Sequence, residues 1–164
     1  MVDWDIHEGG QSFVRSHGRL WNVIRRRNFE ASVSRVAGLV RFGEGWYESE
    51  RTGAHSWRWM RNDATALLPS FRGSGIASLR IHVSIHLLPA PPTISVRWNG
   101  QVIERFVATT EDVERSWTLT SRTGAANELR IVTSTTVVPA SGGGSEDTRE
   151  LGVRLDRLSW MPVQ

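Results

Sequence analysis

The sequence predicts an all-β fold, a jelly-roll-like antiparallel β-sandwich over residues 43–164 behind a partly helical or irregular N-terminal extension over 1–42. Three observations predict it. Leu79, Ile81, Val83, Ile85 and Leu87 alternate with Arg80, His82, Ser84 and His86, the period of a strand with one buried face. Asn99-Gly100 stands between two β-patterned runs, 94–98 and 102–107, and this pair favours a type I′ hairpin turn because both residues tolerate positive φ. From Gly45 onward, short strand-like runs bounded by Gly, Pro, Asn or Ser follow one another with no β-α-β alternation. A closed barrel is the competing architecture.

Residues 1–18 are polar and aperiodic. In 19–42, Leu20, Val23, Ile24 and then Val33, Val36, Ala37, Val40 give helical spacing in two blocks, interrupted from Arg25 to Glu30. This segment reads as a helix ending at Gly38 or as a strand pair, in either case a packing element or tether. Trp46-Tyr47 sits at the edge of a Gly-rich turn and is expected to be exposed. In "WRWM", Trp57 and Trp59 share one strand face, expected to be core, and Arg58 and Met60 the other. Ser74, in "RGSGI", shapes a turn before the next strand. The runs "RSWTLTS", "NELRIVTSTTVV" and "LGVRLDRLSWM" supply later strands. In the last, Leu151, Val153 and Leu155 have one parity and Leu158 and Trp160 the other, which predicts a β-bulge near Asp156-Arg157. The loop from Pro139 to Glu150, with three consecutive glycines, precedes it.

The 164 residues are enough for one domain with a sizeable core, and 39% hydrophobic with 23% charged is ordinary for a soluble protein. No run approaches the roughly 18 apolar residues of a membrane span. The N-terminus lacks the basic region and apolar core of a signal peptide, so a cytoplasmic location is expected. Cysteine is absent, which excludes disulfides, thiolate metal sites and a Cys nucleophile. All 20 basic residues are arginine, yet the net charge is only +3 and acidic residues are interspersed, unlike the one-sided face of a nucleic-acid reader.

Signatures of catalysis are missing: no G-x-S-x-G, no H-E-x-x-H, and no P-loop, which needs a lysine. His82 and His86, four residues apart on a strand, would stand about 13 Å apart, too far to share an ion. Glu44, Glu48 and Glu50 precede the Trp-Arg-Trp strand, and Glu146 and Asp147 precede the last one. First and last strands are neighbours in many sandwiches, so these carboxylates are expected to converge. Such a set suits structural pairing (Asp147 with Arg149, for instance), a structural Ca²⁺, sugar contact or glycosidase chemistry.

"GWYESE" (45–50), "WRWM" (57–60), "ATALLP" (64–69), "VRWNGQVI" (96–103) and "VVPASGGGSEDTRELGVRLDRLSW" (137–160) together resemble carbohydrate-binding-module-like β-sandwich accessory domains found with bacterial glycosyltransferases and polysaccharide enzymes. The resemblance implies a non-catalytic module with oligosaccharide or polysaccharide, or a partner enzyme, as its partner. It implies that Glu50, Arg58, Trp59, Asp147 and Arg149 form a polar cluster joining first and last strands, serving as a sugar site or only as a latch. Trp46 and Tyr47 complete the candidate ligand-binding set. No cofactor is implied beyond the Ca²⁺ already raised. The alternatives are a protein-interaction or scaffold sandwich and, last, a small glycan hydrolase.

Overall fold

The computed structural model describes residues 40–163. The expected helix or strand pair in 19–42 falls almost wholly outside them. Ten strands follow in order: β1 (Arg41–Phe42), β2 (Trp46–Thr52), β3 (His55–Met60), β4 (Asp63–Leu68), β5 (Ser74–His82), β6 (Thr93–Trp98), β7 (Gln101–Val107), β8 (Asp112–Thr120), β9 (Asn127–Thr133) and β10 (Arg154–Pro162). They make two five-stranded sheets, β1-β4-β9-β6-β7 and β2-β3-β10-β5-β8, antiparallel at every pairing. This is the sandwich that the alternation predicts. Pairing begins at Arg41 and Phe42, just ahead of Gly43. Among the described residues, no helix is long and apolar enough to cross a membrane.

The core lies between the sheets. Ala64, Ala66 and Leu68 of β4, Leu129 and Ile131 of β9, and Ile94, Val96 and Trp98 of β6 are buried from the first sheet. Met60, Ala77, Leu79, Ile81, Leu155, Leu158 and Trp160 meet them from the second. Trp98 and Trp160 touch across the gap with ring centroids 4.8 Å apart, and Phe71 stacks on Trp160 at 4.8 Å. The Asn-Gly turn is as predicted, with φ of 51° at Asn99 and 87° at Gly100.

The alternation over 79–87 overshoots the strand. β5 ends at His82, Ser84 adopts φ −75°, ψ 65°, and Ile85 N–H donates to the Val83 carbonyl, an inverse γ-turn. A 3₁₀ turn over Ile85–Leu87 follows and leaves Leu87 exposed. Leu88, ahead of Pro89, is held extended, as a residue before proline must be.

The parity switch in the last strand is a bulge: the β10–β5 register shifts between Leu155 and Arg157. One extra residue there lets Leu155 and Leu158 both face the core despite their odd spacing.

Candidate functional site

The bulge also opens a cleft. β10 runs along β5 from Arg154 to Pro162, but it pairs with β3 only at Arg154–Trp59 and Leu155–Arg58. Beyond Leu155 the two strands part. The gap is a cleft of ≈ 240 Å³ with Ser49, Ser56, Trp57 and Arg58 from the β2–β3 hairpin on one side and Asp156 and Arg157 on the other. Phe42 and Leu158 add apolar surface.

Trp57 is held by a chain of polar contacts. Its Nε1–H donates to Glu50 Oε2 at 3.0 Å, and Glu50 Oε1 accepts from Arg149 Nη1 at 2.7 Å. Arg149 grips Asp147 with a fork, Nε to Oδ1 at 2.9 Å and Nη2 to Oδ2 at 2.7 Å. The same guanidinium lies 5.2 Å from the Tyr47 ring centroid, and the Tyr47 hydroxyl donates to the Glu150 carbonyl at 3.0 Å. The Pro139–Glu150 loop is thereby fastened to the hairpin that carries Trp57.

These contacts shift the ionisation of both partners. Hydrogen bonds from the Arg149 side chain and backbone hold the Asp147 carboxyl below its ordinary range, and hydrogen bonds to Asp147 and Glu50 raise Arg149. A carboxyl depressed in the folded state stabilises the fold above its unfolded pKa, and this contribution is lost as pH falls through the depressed value. Asp147→Asn is expected to remove part of the acid dependence of thermal stability below the usual carboxylate range. Arg149→Met is expected to speed nicking of the loop by a non-specific protease several-fold. Unchanged nicking would show that the contacts do not restrain the loop.

On the outer face of the second sheet, the Arg154 guanidinium lies 5.4 Å from the Trp57 centroid and 6.0 Å from that of Trp59. Asp156 holds it, with Nε to Oδ1 at 2.8 Å and Nη2 to Oδ2 at 3.2 Å. The one carboxylate among the described residues of the cleft is therefore paired with a guanidinium. Arg58 donates Nη1 to the Tyr47 carbonyl at 3.0 Å and lies 4.7 Å from the Phe42 ring centroid. Neither Arg58 nor Arg157 has a carboxylate partner among the described residues. The cleft is thus cationic, and Trp57 and two serines share its lining.

The sequence-predicted residues divide between several places. Glu50, Asp147 and Arg149 come together. Tyr47 joins them through its ring and hydroxyl. Arg58 points to the other face of the hairpin, and Trp59 belongs with Arg154. Trp46 is not the exposed platform expected: it packs against the core, donates Nε1–H to the Thr65 carbonyl at 2.7 Å and meets Phe42 edge-on. Trp57 and Trp59 are not core. Met60 takes the inward position of β3, so the alternating tryptophans turn outward and are half-buried. Sequence reasoning missed Trp57, Ser49, Ser56, Arg154, Asp156 and Arg157 as candidate site residues. The parity break at Asp156-Arg157 was the available signal, because bulges re-aim side chains.

All four oxygens of Glu50 and Asp147 accept N–H groups from Arg149 or Trp57, so this carboxylate pair is committed to a cation it already has. His82 bonds Asp112 at 3.2 Å and His86 bonds Glu111 at 2.8 Å. Among the described residues, no three His, Asp or Glu side chains are grouped to hold a metal ion.

No protein-family model matches the chain, and no curated protein matches it. Among solved structures, it is similar to a family GH115 4-O-methyl-alpha-glucuronidase with specificity for decorated arabinogalactans, at TM-score 0.49 and 11% identity over 78% of this chain and 18% of that one. It is similar to a family 35 carbohydrate binding module from Clostridium thermocellum, at TM-score 0.45 and 13% identity over 77% of this chain and 95% of that one. A CBM22-1 xylan-binding domain from Paenibacillus barcinonensis follows, at TM-score 0.43 and 10% identity over 74% of this chain and 84% of that one. The chain spans less than a fifth of the glucuronidase.

Proposed function

We propose that this β-sandwich is a non-catalytic carbohydrate-binding module, accessory to a partner enzyme of glycan metabolism, and that the cleft between β3 and β10 is its sugar site. One observation carries the reading: Trp57, two serines and two arginines that have no carboxylate partner among the described residues line one cleft. A sugar ring offers an apolar C–H face and a rim of hydroxyls. The Trp57 ring suits the face, and Ser49, Ser56, Arg58 and Arg157 suit the rim. At ≈ 240 Å³ the cleft is smaller than the roughly 300–1,000 Å³ of drug-sized sites, which fits one small polar ring.

The non-catalytic part of the proposal is supported by the carboxylates. Glycoside hydrolysis generally uses two, about 5–9 Å apart across the scissile bond. Among the described residues, this cleft contains one, Asp156, and Arg154 holds it.

The test is a fluorescence titration with a panel of neutral and acidic mono- and oligosaccharides, with and without Ca²⁺. A saturable, ligand-specific change is expected for the wild type, and at least a tenfold weaker response for Trp57→Ala. Added Ca²⁺ is expected to leave the thermal midpoint unchanged, since Arg149 already occupies the carboxylate pair. A flat titration with every sugar would remove the sugar assignment and leave the protein-interaction scaffold.

A further inference from the structure

We propose that the cleft is one end of a longer groove, and that its ligand is an acidic glycan chain lying across the outer face of the second sheet. This rests on the sugar reading of the cleft. Arg157 lines the cleft and also lines a second concavity of ≈ 230 Å³, bounded by Ser78 and Arg80 of β5, Ser116 of β8, and Ser159 and Met161 of β10. The two hollows therefore meet at one guanidinium.

The register explains the second hollow. Ser159 pairs with Ser78, and Ser78 pairs with Ser116, so three serines form one row across β10, β5 and β8. Small side chains there leave a depression between the longer residues of neighbouring rows. The Ser78 and Ser116 hydroxyls lie 2.9 Å apart, and either is the donor. One of the two donates to the other, so the pair keeps one free O–H and oxygen lone pairs for a glycan hydroxyl, above the buried Ser159.

Charge selects the class of chain. The next row is Arg157, Arg80 and Glu114, in register across the same three strands. Glu114 offsets Arg80 at 3.5 Å, but Arg157 opposes Arg80 directly and has no carboxylate of its own among the described residues. Like charges opposite one another on a sheet cost stability. Arg58 shares the parity of Met60 and pairs with inward-facing Leu155, so it does not serve a ligand on this face. A ligand carboxylate beside Arg157 offsets that repulsion through a planar, two-bond contact. A uronic-acid chain carries one on every unit.

Length follows from the spacing. From β10 across β5 to β8 is two strand intervals, about 10 Å at roughly 4.8 Å each, and the gap to β3 adds more than a third interval, which is more than one sugar ring covers.

The experiment is calorimetric titration of the full chain with galacturonate, glucuronate and mannuronate oligomers of graded length, beside neutral galactose, glucose and mannose oligomers of the same lengths. Affinity is expected to rise at least tenfold from monomer to tetramer for one of the acidic series, and to fall with added salt. Ser116→Leu is expected to cut the gain with length, and Arg157→Gln to erase the preference for acidic over neutral chains. Each variant's thermal midpoint is measured to confirm that it folds. If a monomer binds as tightly as the longest oligomer, the groove is wrong and the cleft reading stands. If neutral chains bind as well as acidic ones, the charge argument is wrong. If no sugar of either kind binds, the sugar reading of the cleft falls first and the groove with it.

Discussion

Trp160→Ala is expected to remove about 3–5 kcal/mol of folding stability, the usual loss when a large buried aromatic is truncated. Trp160 is 0% exposed, stacked on Phe71 with 23° between ring planes and tilted against Trp98. Among the described residues it is the largest fully buried side chain, and it links the two sheets. A domain of this size has only about 5–15 kcal/mol in total, so the variant should melt roughly 10–20 °C lower. Trp160→Phe keeps one aromatic ring in the cluster and loses the N–H and the rest of the indole, so its loss should be smaller than that of alanine. Urea unfolding of both measures the difference. A loss below about 1 kcal/mol for the alanine variant would contradict the aromatic cluster as the join between the sheets.

Asn127→Ala is expected to cost on the order of 3 kcal/mol, although it deletes only a small amide. Asn127 is fully buried at the start of β9 and uses both ends of its side chain. Its Nδ2 donates to the Pro69 carbonyl and to Ser121 Oγ, each at 3.1 Å. Its Oδ1 accepts from the Arg122 N–H at 2.8 Å and from Asn99 Nδ2 at 3.3 Å. Removing it leaves buried donors and acceptors without partners, at about 1–3 kcal/mol each. Trp160 Nε1–H donates to the same Pro69 carbonyl at 2.9 Å. The two sites share an acceptor, so the double variant should depart from additivity by about 1 kcal/mol, within the usual range for coupled neighbours. Strict additivity would show that the shared carbonyl does not couple them.

How much of this was legible in the sequence depends on the kind of signal. Backbone features with local causes were readable: the Asn99-Gly100 turn from its positive-φ tolerance, and the bulge from the change of parity between Leu155 and Leu158. The end of β5 was not, because Ser84-Ile85-His86-Leu87 keeps the alternation that the backbone abandons. Periodicity at 57–60 separates two faces but does not say which is inside. The tryptophans have the larger apolar area, yet Met60 faces the core. The joining of Glu50 to Arg149, 99 residues apart, is what the family resemblance implied. The expectation that first and last strands are neighbours does not explain it, since β1 lies in the other sheet and β10 pairs with β3 and β5. Arg154 and Arg157 were passed over because each, taken alone, is an ordinary polar residue of a strand. Their importance appears only where β10 leaves β3.

That parting of β3 and β10 bears on kinetics. The walls of the cleft are strands of a sheet, and Trp57 is already fixed through Glu50 and Arg149. A ligand arriving there has little chain to order, so occupying the cleft forfeits little conformational entropy. Capture is then a single encounter without a slow closing step, and ligands of different affinity separate chiefly by how fast they leave.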